Sequence, residues 1–199
     1  MRLILASASP RRAELLRAAG YAFEIVVADV DESIRPGEAP SAYVRRLAAE
    51  KSAAAQSRLA RGGGPERAAL LQPIILGADT AVVVDGDILG KPRDDEEAAA
   101  MLRRLSGTSH TVMTGVSLRQ GAYELGCIES TTVAFRALSA DEVAWYVASG
   151  EGRDKAGAYA IQGFASRFAT RIEGSYSNVV GLPVATVAEL VRSILASKV

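Results

Sequence analysis

Asp79 stands at the centre of an apolar run, Ile74-Ile75-Leu76-Gly77-Ala78-Asp79-Thr80-Ala81-Val82-Val83-Val84. β-branched residues on both flanks, followed by the turn signal Asp85-Gly86, make this run a buried strand. A lone ionised carboxylate there costs several kcal/mol of desolvation unless a cation or hydrogen-bond donors meet it. Folding gains nothing from such a residue, so a functional carboxylate is the favoured reading and a satisfied structural one the alternative.

Five other groups could do chemistry. Ser7-Ala8-Ser9-Pro10-Arg11-Arg12 lies between a short apolar strand and a helix start, where free backbone N–H groups and the helix dipole favour an anion. Two hydroxyls and two guanidiniums beside them would make a phosphate clamp; a capping serine, a first-turn proline and two solvated arginines are the alternative. Lys51 shares a helix face with Val44, Ala48 and Ala55, whereas Arg45, Arg46 and Gln56 fall on the face expected to be solvated. Its ammonium either snorkels to water or points into a cleft to meet anionic oxygens. Gly90-Lys91-Pro92 holds another lysine beside a rigid proline. Gln162, in the apolar run Tyr159-Ala160-Ile161-Gln162-Gly163, has two donors and an acceptor suited to a base edge, or to backbone groups in a core.

Asp31-Glu32 are loop acids, either solvated or metal ligands. His110 has no second histidine to form a metal pair and reads as structural. No serine occupies a nucleophile elbow, so a Ser/His/Asp triad has no support. The tyrosines and Trp145 do not interleave with basic residues, which removes a stacking platform for single strands.

The elements that must position these residues follow from pattern and caps. Leu3 to Ala6 and Phe23 to Val27 read as strands, with a helix from Pro10 to about Ala19 between them, stopped by Gly20. A long helix runs from Pro40 to about Arg61, and Gly62-Gly63-Gly64-Pro65 reads as an exposed loop. After the Asp79 strand, Asp94-Asp95-Glu96-Glu97 opens another helix with its acids at the positive dipole end. Thr111 to Arg119 and Cys127 to Arg136 form a strand pair. Ser139 to Glu142 is a capping box for a helix ending near Gly150, and Gly181-Leu182-Pro183 precedes a last amphipathic helix. Helices and strands alternate early and strands dominate the middle, which predicts an α/β fold with a mixed sheet.

With 199 residues, 49% hydrophobic and 23% charged, the chain has the composition of a globular enzyme rather than a disordered one. Lys+Arg and Asp+Glu both number 23, so no overall field draws the chain to nucleic acid or a membrane surface, and neither partner is expected. Cys127 is alone, which excludes an intrachain disulfide and an all-cysteine metal site. The N-terminus is not a signal peptide and no window is long enough to span a bilayer, so a cytoplasmic location is expected.

Read in order, several fragments resemble the Maf family, septum-formation-associated nucleotide pyrophosphatases. They are Leu5-Ala6-Ser7-Ala8-Ser9-Pro10-Arg11-Arg12, Glu50-Lys51, Gly77-Ala78-Asp79-Thr80, Gly90-Lys91-Pro92-Arg93, Ser106-Gly107, Ala156 to Gly163 and Ile172 to Pro183. The resemblance spans nearly the whole chain and implies a single Maf-like domain over 1–199. It implies a two-lobed α/β structure with a long bent mixed sheet, similar to inosine triphosphate pyrophosphatases, with the active site in the cleft between lobes. It further implies hydrolysis of a nucleoside triphosphate to monophosphate and pyrophosphate with a divalent metal cation, Mg²⁺ or Mn²⁺. Asp79 takes the proton-acceptor position, Ser9, Arg12, Lys51 and Lys91 the phosphate positions, and Glu32 an acidic position that would share the metal with Asp79. Arg11, Thr80 and Gln162 match the set that looks like the dTTP/UTP branch; the branch acting on methylated GTP differs at all three. A homodimer is a further implication. Against these stand a non-hydrolysing nucleotide-binding regulator of cell division and a nucleic-acid-binding module.

Overall fold

Period-two alternation along two neighbouring strands sets the geometry of the candidate site. The computed structural model describes residues 1–27, 29–62 and 72–196. Strand β1 (Leu3–Leu5) lies parallel to both β2 (Phe23–Ile25) and β3 (Ile74–Val84), with Leu3 opposite Ile74 and Leu5 opposite Leu76. On one face Leu3, Leu5, Ile74, Leu76 and Ala78 pack with residues of α1 (Pro10–Ala18) and α6 (Val184–Ala196). On the other, Ile4 and Ile75 pack with Ala55 of α2 (Pro40–Gly62). Alternation therefore gives Asp79 the parity of Ile75 and Gly77, the side occupied by α2.

Two glycines let α2 lie close to the sheet. A Cβ at Gly77 would overlap the Ala48 carbonyl oxygen, and one at Gly115 would overlap the Val44 carbonyl. Val44, Ala48 and Ala55 are fully buried against this surface, and Lys51 is buried with them. The expected helix face is thus the observed one. Its opposite face is less solvated than expected: Arg45 bonds Glu124, Arg46 bonds Glu38, and Gln56 donates to the Gly121 carbonyl.

The remaining elements are β4 (Asp87–Leu89), α3 (Asp95–Leu105), β5 (Ser109–Gln120), β6 (Tyr123–Phe135), α4 (Ala140–Ala148), β7 (Ala169–Glu173) and α5 (Tyr176–Val180). The strand order is β2-β1-β3-β5-β6-β7, with β4 antiparallel to β3 and β7 antiparallel to β6, so the sheet is mixed as expected. The β3–β4 hairpin turns through Asp85 and Gly86, both at positive φ (52° and 84°). That is the conformation favoured by a two-residue Asp-Gly hairpin turn. Ser139 and Glu142 form the anticipated capping box.

Two expectations needed correction. The second strand stops at Ile25 rather than Val27, and the β5–β6 pair is longer than Thr111 to Arg119 and Cys127 to Arg136. Neither β7 nor α5 had been foreseen, because β7 is half-exposed and carries no apolar alternation. The glycine-rich loop at Gly63, Gly64 and Pro65 lies outside the described residues.

The chain divides into two compact units, each discontinuous in sequence. One comprises Met1–Asp79, Thr114–Glu129 and Gly181–Val199; the other comprises Thr80–Met113 and Ser130–Val180. The second has an aromatic core in which His110, Phe135 and Tyr159 meet edge to face, with ring centroids 4.9–5.3 Å apart.

Candidate active site

The first unit brings Lys51 to Asp79. Lys51 Nζ lies 2.6 Å from Asp79 Oδ1 and 2.6 Å from Glu32 Oε1. Lys51 and Asp79 are each 7% exposed, so the lysine does not snorkel to water; it is enclosed with a carboxylate. Glu32 is about half exposed and closes this acid–lysine–acid arrangement from a loop. Two carboxylates meeting at one ammonium leave a net negative charge, a geometry for holding a divalent cation and moving a proton, and it adds little to stability once desolvation is counted.

Arg12 belongs to the same neighbourhood. Ser9 caps α1, Pro10 occupies its first turn, and Arg12 turns inward instead of being solvated. Its Nε donates to the Gly181 carbonyl at 2.8 Å, and its Nη1 donates to the Ala78 carbonyl at 2.9 Å and the Ser7 hydroxyl at 3.2 Å. The guanidinium thereby fastens the residue before Asp79 to the start of the C-terminal segment. Burial lowers its pKa, the charges of Asp79 and Glu32 work against that lowering, and Arg11 adds to it. Arg11 is half-buried beside it, and Ser9 is half-buried at the helix cap.

The loop carrying Glu32 is tied down by residues the sequence reading did not single out. Tyr43 donates its hydroxyl to the Glu32 carbonyl oxygen at 3.0 Å. Burial pushes the Tyr43 phenol up to about 12, with Asp79 and Glu32 adding to the effect. Arg46 holds both Glu38 oxygens at 2.6 and 2.7 Å and donates to the Ser33 carbonyl at 3.0 Å. That pairing holds the Glu38 carboxyl down at about 2, so the clamp persists through ordinary pH and opens only in strong acid. The Arg46–Glu50 pair at a spacing of four was the only local signal for this cluster.

The second unit contains Thr80, Lys91 and Gln162. Thr80 is half-buried directly after Asp79 in β3, and Lys91 is exposed in the turn after β4. The Gly157 N–H donates to the Gly90 carbonyl at 3.0 Å, linking that turn to the segment leading to Gln162. Gln162 is exposed, which removes the alternative of a core amide. His110 is structural, as expected: it is 2% exposed, its Nε2 lies 2.8 Å from the Tyr159 hydroxyl, and burial lowers its pKa to about 4.

Among the described residues no group of three or more His, Cys, Asp or Glu side chains could hold a metal ion. Glu32 and Asp79 still suit Mg²⁺ or Mn²⁺, because such ions bind through one or two carboxylates completed by substrate phosphates and water. No helix among the described residues is long and apolar enough to cross a membrane.

An α/β sheet presenting an acid–lysine–acid site at the middle of a buried strand is a framework suited to a hydrolase for phosphorylated substrates. The Maf-like protein family model matches residues 2–194, and the chain belongs to that family. The dTTP/UTP pyrophosphatase of Anaeromyxobacter sp. (strain Fw109-5) is 51% identical over 196 residues, covering 96% of this chain and 88% of its own. The proteins of the same name from Hahella chejuensis (strain KCTC 2396) and Escherichia coli O157:H7 are 51% and 48% identical. They cover 96% of this chain in each case, and 91% and 92% of their own. Among solved structures, the Staphylococcus aureus Ham1 protein matches with a TM-score of 0.42 and 11% identity, over 68% of this chain and 72% of its own. That likeness is too slight to bear on activity.

Proposed function

We propose that this chain hydrolyses nucleoside triphosphates to the monophosphate and pyrophosphate, with dTTP and UTP preferred and modified pyrimidine nucleotides as further substrates. The relatives' shared name supports the substrates. The chemistry is carried by one observation: Lys51 Nζ held 2.6 Å from both Asp79 Oδ1 and Glu32 Oε1.

A triphosphate brings about four negative charges near neutrality, which an overall neutral protein meets only with a local cationic cluster. Lys51, Arg12 and Arg11 form that cluster in the first unit, and the Ser9 hydroxyl at the start of α1 adds a donor. Lys91 contributes a further ammonium for the phosphates. Water attacks the α-phosphorus, and its proton passes to the Asp79 carboxylate. The bond from the α-phosphorus to the bridging oxygen breaks, and its electron pair leaves on pyrophosphate, where lysine charge offsets the developing negative charge. A divalent cation, Mg²⁺ or Mn²⁺, held by Asp79 and Glu32 would neutralise phosphate charge and fix the phosphate oxygens. Gln162 reads the pyrimidine edge, accepting from N3–H and donating to O4, while Arg11 and Thr80 complete substrate choice. The setting we infer is the cytoplasm, in a house-cleaning or septum-linked role, with the chain as a homodimer.

The test is a panel of nucleoside triphosphates, CTP included, assayed for pyrophosphate release with each metal in turn. Release from dTTP and UTP above the purine nucleotides is expected. Saturable nucleotide binding with no pyrophosphate under either metal overturns the reading and leaves a nucleotide-binding regulator.

A further inference from the structure

Gln162 lies at the tip of a short turn whose two ends are anchored by different side chains. The turn is closed by the Gly163 N–H donating to the Ala160 carbonyl at 3.0 Å. At its start, the Ala160 N–H donates to the hydroxyl of Tyr146, a residue of α4 that is 1% exposed. At its end, the Phe164 N–H donates to Glu151 Oε1 at 3.0 Å. A Cβ at Gly163 would overlap that same carboxylate, so the backbone sits directly on Glu151. Glu151 also borders the Tyr146 hydroxyl, adding to the burial that pushes this phenol's pKa up.

Glu151 is itself held. Its N–H donates to the Ser149 hydroxyl at 3.2 Å, and its carbonyl accepts from Lys155 Nζ at 2.7 Å. Gln162, by contrast, is exposed. An exposed side chain can select a ligand only if its backbone is fixed, because otherwise its rotamer freedom must be lost on binding.

We propose that Glu151 is a positioning residue for substrate choice: it sets the conformation of the Ala160–Phe164 turn from which Gln162 meets the nucleotide base. The inference rests on the base-reading role given to Gln162 above. It also explains why a charged side chain lies beneath an otherwise apolar segment: an anionic oxygen takes the Phe164 N–H in a charge-assisted bond, which is stronger than a neutral one.

The experiment measures kcat/KM for dTTP and dGTP, and the inhibition constant of inorganic tripolyphosphate, which carries no base. Glu151→Ala should lower the dTTP-to-dGTP ratio about tenfold through KM for dTTP, the scale of one or two lost hydrogen bonds. Tripolyphosphate inhibition should not move. Glu151→Gln should restore the ratio, because its amide oxygen still accepts from Phe164. Phe164→Pro provides a second route that leaves Glu151 in place. It deletes that N–H at the start of a 3₁₀ turn, where proline fits, together with the ring that packs against Trp145, and Phe164→Ala is the control for the lost ring. Phe164→Pro should lower the ratio, whereas Phe164→Ala should keep it. A wild-type ratio in Glu151→Ala or in Phe164→Pro, alongside a reduced ratio in Gln162→Ala, overturns the positioning role while sparing the base reading. An unchanged ratio in Gln162→Ala overturns the base reading, and the role of Glu151 falls with it.

Discussion

Lys51 and Asp79 are buried in the first unit as an ion pair, whereas His110 and Tyr159 are buried in the second as a hydrogen-bonded pair that burial keeps neutral. Both pairs bond at short distance among apolar neighbours, yet only one retains charge. A buried ion pair is often no better for stability than apolar residues of the same shape. Its retention in the first unit therefore points to chemistry. The second unit shows what a core does with titratable groups when folding alone governs: it keeps them uncharged and sets them edge to face against Phe135.

The contrast is open to measurement. Lys51→Met strands Asp79 as an uncompensated buried carboxylate and should destabilise by about 3–5 kcal/mol in denaturant unfolding. His110→Phe, which removes one neutral hydrogen bond, should cost about 1 kcal/mol and leave turnover intact. Equal losses from both variants would erase the distinction.

Asp79→Asn should leave the fold in place, because Lys51 keeps Glu32 as a partner. Pyrophosphate release should nevertheless fall by about 10²-fold or more, the usual contribution of a positioned proton acceptor. Undiminished turnover would remove Asp79 from the mechanism.

Acid should act on the second unit through His110. Burial depresses its folded pKa from 6.5 to about 4, so the unfolded chain binds the proton more readily. The stabilisation from neutral His110 is complete above pH 6.5 and is lost progressively as pH falls to about 4. Its full size is on the order of 3 kcal/mol. Wild type should be about 1 kcal/mol more stable than His110→Phe near neutrality and about 2 kcal/mol less stable near pH 4, so their thermal-unfolding curves should cross in that interval, and parallel curves would contradict the assignment.

The smallest effect concerns the loop of Glu32. Arg46→Ala releases Glu38 and the Ser33 carbonyl while sparing every group proposed to touch substrate. A partly exposed clamp of this kind should raise the half-saturating Mg²⁺ concentration about fivefold, with kcat nearly unchanged. A larger fall in kcat would mean that Arg46 reaches the chemistry itself.

Much of the first unit could be read from the chain. Asp79 in its β-branched run, the Lys51 face of α2, and Pro10 and Ser9 at the start of α1 all express short-range periodicity and capping, which act over a few residues. The same local rules placed the Asp85-Gly86 turn and the Ser139–Glu142 capping box. Arg12, in contrast, looked like a solvated or phosphate-holding arginine, and its bond to the Gly181 carbonyl joins positions far apart in sequence. Glu32 reaching Lys51, Arg46 gripping Glu38, and Glu151 lying beneath the Gln162 turn are likewise meetings of distant segments. Residue types and their spacing determined which groups were available and which face of each element they share. Only chain closure decided which groups meet, because strand register and loop path bring together residues that no local pattern connects.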